Sequence, residues 1–280
     1  MSSASDGIDA MLDLLKATTL QDDRRWTPPR PRAGLATQQR PLRYLLVMDV
    51  EATCDAGSEL FAHEIIELPV MLLDLEQAKV LATFHRFVKP RKALTRFCTA
   101  LTGISQQVVD AADSFDVVLS DLTAWLEQHT QTLFDPPLHD LSFSKPSTWF
   151  PRTSVGNDHR LQRHFRNWAF ATDGIADVEK FIWLQARHSK LPIPNYFYGP
   201  YVDTRGLFAA FMKQKRCTLA EQGQALEVTM EGQAHSGLDD TKNIARICLA
   251  LYKRGCVFEP NRVFYKGHKA WIKHQRYKER

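Results

Sequence analysis

The sequence predicts a mixed α/β sheet with helices on both faces, and three observations carry that expectation. Three short apolar runs come first, at residues 44–50, 65–73 and 80–88. Helical patterns follow and alternate with further short apolar runs. An apolar fraction of 44% over 280 residues is enough for one substantial core.

The elements are justified in chain order. Ile8, Met11, Leu12 and Leu15 stand at helical spacing and predict one short amphipathic helix within residues 1–20. Pro28, Pro29 and Pro31, interleaved with Arg30 and Arg32, read as an extended linker. The run at 44–50 is the first strand, and residues 74–79 form a hairpin-length connection between the second and third. Pro69 predicts a weakened second strand or a bulge there. Ser114 opens a helix through Val118, Leu119, Leu122, Trp125 and Leu126. Residues 133–165 break the rhythm with Pro136, Pro137, Pro146 and Pro151 and read as an insertion, being long for a structureless loop inside a domain. A strand at 168–172, a helix at 177–188, a strand at 198–202 and a helix at 204–213 follow. Thr218-x-x-Glu221 is a capping box opening the next helix. The last, at 236–253, aligns Ile244, Ile247, Cys248 and Leu251 and stops at Gly255. The expected organisation is an N-terminal helix and linker over 1–42, one folded domain over 43–258, and a basic tail over 259–280.

Composition narrows the function classes. No apolar run reaches the ~18 residues needed to span a bilayer, and Asp6, Asp9 and Asp13 argue against a presequence. The expectation is a cytoplasmic or nuclear protein with no membrane partner. Five scattered cysteines without a C-x-x-C pair indicate reduced thiols and no zinc site. His139, His159 and His164 lie in the insertion without a cysteine and read as loop residues. Residues 24–43 carry six Arg and no acid, and residues 262–280 carry seven Lys/Arg against Glu279. Two flanks of +6 in a chain of net charge +4 leave −8 on the body. Basic flanks on an acidic body suit a protein that grips a polyanion and gathers carboxylates around metal ions, or else are solvated tails. Phe264, Tyr265, Trp271 and Tyr277 among the cations favour nucleic acid, because rings stack on bases.

Asp49-Val50-Glu51 ends the first strand, and side chains at i and i+2 share a face. Two carboxylates converging at a buried strand end need compensation, and hard oxygen ligands suit Mg²⁺ or Mn²⁺. A lone D-x-E is more often a solvated strand end. At the other end of the chain, His235-Ser236-Gly237-Leu238-Asp239-Asp240 opens the last helix. Ser236 with Asp239 can cap it, and Asp240 then falls on the face of Ile244 and Ile247, turned inward. Alone, His235 reads as a structural histidine and Asp240 as a helix-terminus charge.

Several ordered motifs together are far more specific. Met48-Asp49-Val50-Glu51-Ala52-Thr53-Cys54, His63-Glu64-Ile65-Ile66-Glu67, Leu101-Thr102-Gly103-Ile104 and His235-x-Gly237-Leu238-Asp239-Asp240-x-Lys242-Asn243-Ile244-Ala245-Arg246 resemble the DEDDh 3′ to 5′ exonucleases, and most of all the ERI-type exoribonucleases. The resemblance covers about residues 43–258 and implies a ribonuclease H-like fold. Its pattern requires one more acid, for which Asp173 and Asp177 compete. The family's ligand starts a helix and precedes a hydrophobic pair, here Phe181-Ile182, which selects Asp177. The usual aromatic before it is Ala176 here.

The resemblance implies two-metal hydrolysis, with ions ~3.5–4 Å apart. Asp49 bridges both, Glu51 and Asp240 help hold the one that binds the attacking water, and Asp177 acts through water on the other. Glu51 and His235 are the catalytic positions, His235 accepting the proton with an imidazole pKa of ~6.5. Ala52, Thr53, Leu101, Thr102, Ile104 and His235 wall the terminal nucleotide, Thr53 through backbone contacts to its ribose. The product is a nucleoside 5′-monophosphate, and the implied partners are RNA 3′ ends, single-stranded or overhanging, with RNA-silencing or ribosomal RNA processing factors. The competing expectations are a nuclease trimming DNA or both polymers, and an RNA-binding adaptor with little catalysis.

Overall fold

The computed structural model describes residues 41–56, 63–135, 137–138 and 166–264. The expected helix within 1–20, the proline-rich linker, the three insertion histidines and most of the basic C-terminal flank lie outside them.

Strand β1 (Tyr44–Met48) is buried along its whole length because both of its faces are covered. Tyr44, Leu46 and Met48 enter one core cluster, and Leu45 and Val47 enter another. A two-residue strand β2 (Glu51–Ala52) follows, then β3 (Ile65–Asp74), also wholly buried, and β4 (Lys79–Phe87), half-exposed at one edge. β5 (Trp168–Thr172) repeats the division, with Trp168 and Phe170 on one face and Ala169 and Ala171 on the other. β6 (Gly199–Asp203) and β7 (Arg262–Phe264) complete the sheet. The order is β4-β3-β1-β5-β6-β7, with β2 continuing along the β1 side of β3. β1, β5 and β6 are parallel; β3, β4 and β7 run antiparallel to their neighbours.

Pro69 neither breaks β3 nor causes a bulge. It faces His85 on the β4 side, while on the other side it lies beyond Val70, where β1 has ended and β2 has not begun. The irregularity with β4 falls at Leu72/Leu73 instead.

Two short helices that the apolar periodicity did not reveal follow β4: α1 (Arg96–Thr102), capped by Thr95, and α2 (Gln106–Asp110), capped by Ser105. They cover Ile66 through Cys98, Ile104 and Val109. α3 (Phe115–Thr130) buries Val118, Leu119, Leu122 and Leu126 against the first face of the sheet. The expected helix after β5 begins as a π-helical stretch, Asp177–Ile182, before becoming α4 (Trp183–Ser189). On the second face lie α5 (Thr204–Met212), α6 (Leu219–Leu226) with its Thr218/Glu221 capping box, and α7 (Gly237–Lys253). Ile244, Ile247 and Leu251 of α7 are fully buried, each contributing roughly 1.5–3 kcal/mol, so the helix is anchored behind its N-terminal acids.

The long connection between α3 and β5 leaves and returns at one point. The Asn167 N–H donates to Asp135 O at 2.9 Å, its Oδ1 accepts the Asp135 N–H at 2.8 Å, and its Nδ2 donates to Leu133 O at 2.8 Å. These bonds bring the two ends of the connection together.

Candidate active site

The parallel strands β1, β5 and β6 end on one edge of the sheet, where crevices form in α/β folds. Acids crowd this edge. Asp49 follows β1, Glu51 lies in β2, Asp173 follows β5, and Asp203 ends β6. Glu67 of β3 stands across from Glu51, and Asp177 and Asp240 enter from the helical layers.

Local partners divide these acids into two groups. Asp173 receives Arg205 Nη2 at 2.6 Å and Gln222 Nε2 at 2.8 Å. Asp203 caps α5 through the Gly206 N–H at 3.0 Å and pairs with Arg216 and Arg262. Glu67 accepts the Gly237 and Leu238 N–H groups at 2.9 and 3.2 Å and lies 2.7 Å from His85 Nε2. Asp239 pairs with Lys242 at 2.8 Å. Among the described residues, Asp49, Glu51, Asp177 and Asp240 have no cationic side chain in ion-pair contact. Asp173, one of two candidates for the fourth acid, is thus neutralised by Arg205, and Asp177 is not.

Two of the four, Asp177 and Asp240, are held by backbone N–H groups. Asp177, only 6% exposed, opens the π stretch, and its Oδ1 accepts the Val50 N–H at 2.9 Å, midway between Asp49 and Glu51. Such wider helical turns recur at functional sites. The Tyr201 hydroxyl donates to Glu179 at 2.7 Å and ties the same stretch to β6. At the start of α7, Asp240 Oδ2 accepts the His235 N–H at 2.8 Å. His235 has φ +63°, a left-handed conformation uncommon for a residue with a side chain. Its surroundings impose it: Asp239 accepts the Gln233 N–H at 3.1 Å, and Asn243 bonds both the N–H and C=O of Glu231, at 3.1 and 2.9 Å. As a result Glu51, His235 and Asp240 each offer a ligand atom, all within 4.8 Å of one another.

The electrostatics follow from this crowding. Burial, and then Asp177, Glu51 and Asp240, hold the Asp49 carboxyl well above the usual carboxylate range. Burial, then Glu67, Asp240 and Asp177, does the same to Glu51. Burial pushes Asp177 up to about 7 against the opposing Val50 N–H, and Asp240 up to about 6 against the His235 N–H. Such a group cannot be fully ionised near neutrality without added positive charge. A divalent cation with hard oxygen preference supplies it, so the donor set fits Mg²⁺ or Mn²⁺.

Ala52 and Thr53 continue from Glu51 and are buried. The Thr53 N–H donates to Glu64 O at 2.8 Å and its carbonyl contacts His63 Nδ1 at 2.8 Å, so its backbone is committed within the fold. Burial lowers His63 to about 4, which keeps that ring neutral. α1 is tied to this strand end by Thr95 Oγ1, donating to Cys54 O at 2.7 Å. Of the residues expected at the pocket at the end of α1 and just after it, Leu101 is half-buried, Ile104 is buried, and the Thr102 hydroxyl turns inward to Cys98 O at 2.9 Å. Gly103, at φ +73°, ends α1 so close to the His235 loop that a Cβ there would lie 3.0 Å from Gln233 Nε2. The end of α1 and the histidine loop therefore meet. Sequence reasoning quoted Glu67 without a role and passed over His85, Arg205 and Gln222. Their signal is contact across the sheet, which periodicity does not carry.

Comparison with known proteins agrees with this geometry. The profile of an exonuclease family matches residues 46–135. The chain is 35% identical over 240 residues to the 3′-5′ exonuclease eri1 of Schizosaccharomyces pombe, covering 84% of this chain and 77% of that one. It is 32% identical to human 3′-5′ exoribonuclease 1 over 80% of this chain, and spans 56% of that longer protein. Among solved structures, the nuclease domain of 3′hExo, described as a DEDDh family member bound to rAMP, superposes with a TM-score of 0.64 at 31% identity, covering 80% of this chain and 98% of that domain. A ribonuclease H-like sheet flanked by helices, an acidic edge able to bind a metal ion and this relationship together place the chain in the ERI1 family of DEDDh-type, metal-dependent 3′-5′ exonucleases.

Proposed function

We propose that the chain removes nucleoside 5′-monophosphates one at a time from RNA 3′ ends, with Asp49, Glu51, Asp177 and Asp240 holding two Mg²⁺ or Mn²⁺ ions. The observation that carries this is the division of the acids: among the described residues, Asp173, Asp203, Glu67 and Asp239 have basic or helix-terminal partners, and these four have no cationic side chain in ion-pair contact. Bound divalent cations supply the charge that steadies a phosphoryl oxygen and acidifies an attacking water. His235, whose ring stands beside Glu51 and Asp240, accepts the proton from that water. Asp240 serves twice, offering one carboxylate oxygen to the cation while the other fixes the His235 backbone. Ala52, Thr53, Leu101 and Ile104 enclose the terminal nucleotide, and Thr102 supports that wall from within.

Ribose is the favoured sugar because the ERI1-type relatives are named exoribonucleases and one solved relative holds rAMP. Another is described as recognising a histone mRNA stem-loop at its 3′ end. Single-stranded or overhanging RNA 3′ ends are the substrate class we assign, within RNA silencing or ribosomal RNA processing in the cytoplasm or nucleus. Among the described residues no helix is long and apolar enough to cross a membrane.

The test is incubation with 5′-labelled RNA and matched DNA, with Mg²⁺, Mn²⁺ or EDTA. A ladder shrinking from the RNA 3′ end, dependent on the metal and much weaker on DNA, is expected. Equal ladders would assign a nuclease indifferent to the sugar, and RNA binding without a ladder would assign an adaptor.

A further inference from the structure

We infer that Glu67 is a positioning residue whose carboxylate locks the first turn of α7 against the strand end and so sets where Asp240 and His235 stand relative to Asp49 and Glu51. This rests on the metal-site reading above.

Glu67 is 2% exposed, and three groups from two elements converge on it: the Gly237 N–H at 2.9 Å, the Leu238 N–H at 3.2 Å and His85 Nε2 at 2.7 Å. Helix N-termini leave N–H groups without intrahelical partners and carry partial positive charge. At α7 the Ser236 side chain takes the Asp239 N–H, and Glu67 takes the two before it. The contact is close enough that a Cβ on Gly237 would lie 2.8 Å from the Asp49 carbonyl oxygen and 3.1 Å from Glu67 Oε2. Asp240 follows Gly237 by less than one turn and bonds the His235 N–H, so any movement of this turn shifts both. The buried Ile244, Ile247 and Leu251 fix the rest of the helix but not the depth of its first turn. A glutamine at position 67 has one accepting oxygen and turns an NH₂ toward one of the donors, so at least one bond is lost.

Mn²⁺ affinity, measured by the spin resonance of free ion in the purified full chain, is read together with kcat, KM for RNA and Tm. For Glu67→Gln we expect Mn²⁺ affinity and kcat each to fall ~10–100-fold, as for groups that orient ligands in other metal sites, with KM for RNA within about 2-fold of the parent. His85→Ala falls part of the way, and His85→Gln, which keeps a donor, recovers. A Glu67→Gln protein with parental Mn²⁺ affinity and kcat, or one altered only in KM, overturns the inference. Asp49→Ala is the control: if it binds Mn²⁺ as the parent does, the metal site itself fails and takes the inference with it. Should Glu67→Gln not fold, the His85 pair decides, and equal kcat and Mn²⁺ affinity in His85→Ala and His85→Gln overturns it.

Discussion

Replacing Asp177 with Asn should stabilise the metal-free protein, and more strongly as pH rises. Burial lifts the Asp177 carboxyl to about 7 in the folded chain, whereas an exposed aspartate titrates near ~3.9. Between those values the folded state keeps a proton that the unfolded chain has released, so stability falls as pH rises through the interval and the penalty is complete above the folded value. Three units at ~1.36 kcal/mol each make the penalty about 4 kcal/mol at pH 8, against about 1.5 kcal/mol at pH 5. Asparagine carries no such penalty, and its Oδ1 still accepts the Val50 N–H. At ~2–4 °C per kcal/mol for a domain of this size, the variant should melt about 8 °C above the parent at pH 8 and about 3 °C above it at pH 5 in EDTA. Saturating Mn²⁺ should reverse the order by stabilising only the parent substantially. A variant no more stable at pH 8, or an advantage that shrinks from pH 5 to pH 8, would refute the crowding of unpaired carboxylates as the defining property of the site.

Three further outcomes follow from the same geometry. Asp49→Ala and Asp240→Ala should each eliminate hydrolysis, whereas His235→Ala should lower kcat ~10²–10⁴-fold and leave a residual rate, as steady-state kinetics would report. Gly237→Ala places a methyl 2.8 Å from the Asp49 carbonyl oxygen; it should cost about 1–3 kcal/mol in thermal unfolding and reduce kcat, and a silent substitution would mean that α7 does not approach as described. Removing residues 265–280, which carry six Lys/Arg, should weaken RNA binding and flatten its salt dependence, each lost phosphate contact taking ~0.7 from the log–log slope on a single strand. An unchanged slope would make that tail a solvated one.

The strands and long helices were legible because burial on two faces leaves a continuous apolar run, as in β1, and burial on one face leaves a stripe, as in α7. Local chemistry marked the ends: Ser236 caps α7, and Thr218 with Glu221 forms the capping box of α6. α1 and α2 escaped because helices of seven and five residues are too short for periodicity to declare them. β7 escaped because Arg262 lies in a run of positive charge, and its pairing with β6 is a tertiary fact. The π stretch has no sequence mark either; it coincides with the docking of Asp177 on the Val50 N–H. The D-x-E and H-x₄-D spacings drew attention to Asp49, Glu51, His235 and Asp240, but the pairing that separates Asp173 from Asp177 is visible only in the structure, since Arg205 reaches Asp173 from thirty-two positions away.

The most direct measurement is calorimetric titration of the metal-free protein with Mn²⁺, beside Asp49→Ala. Two ions bound per chain with saturation coinciding with the onset of RNA hydrolysis, and both lost in the variant, is the predicted result. Identical isotherms for the two proteins, or hydrolysis that persists in EDTA, would contradict a metal site built on these four acids.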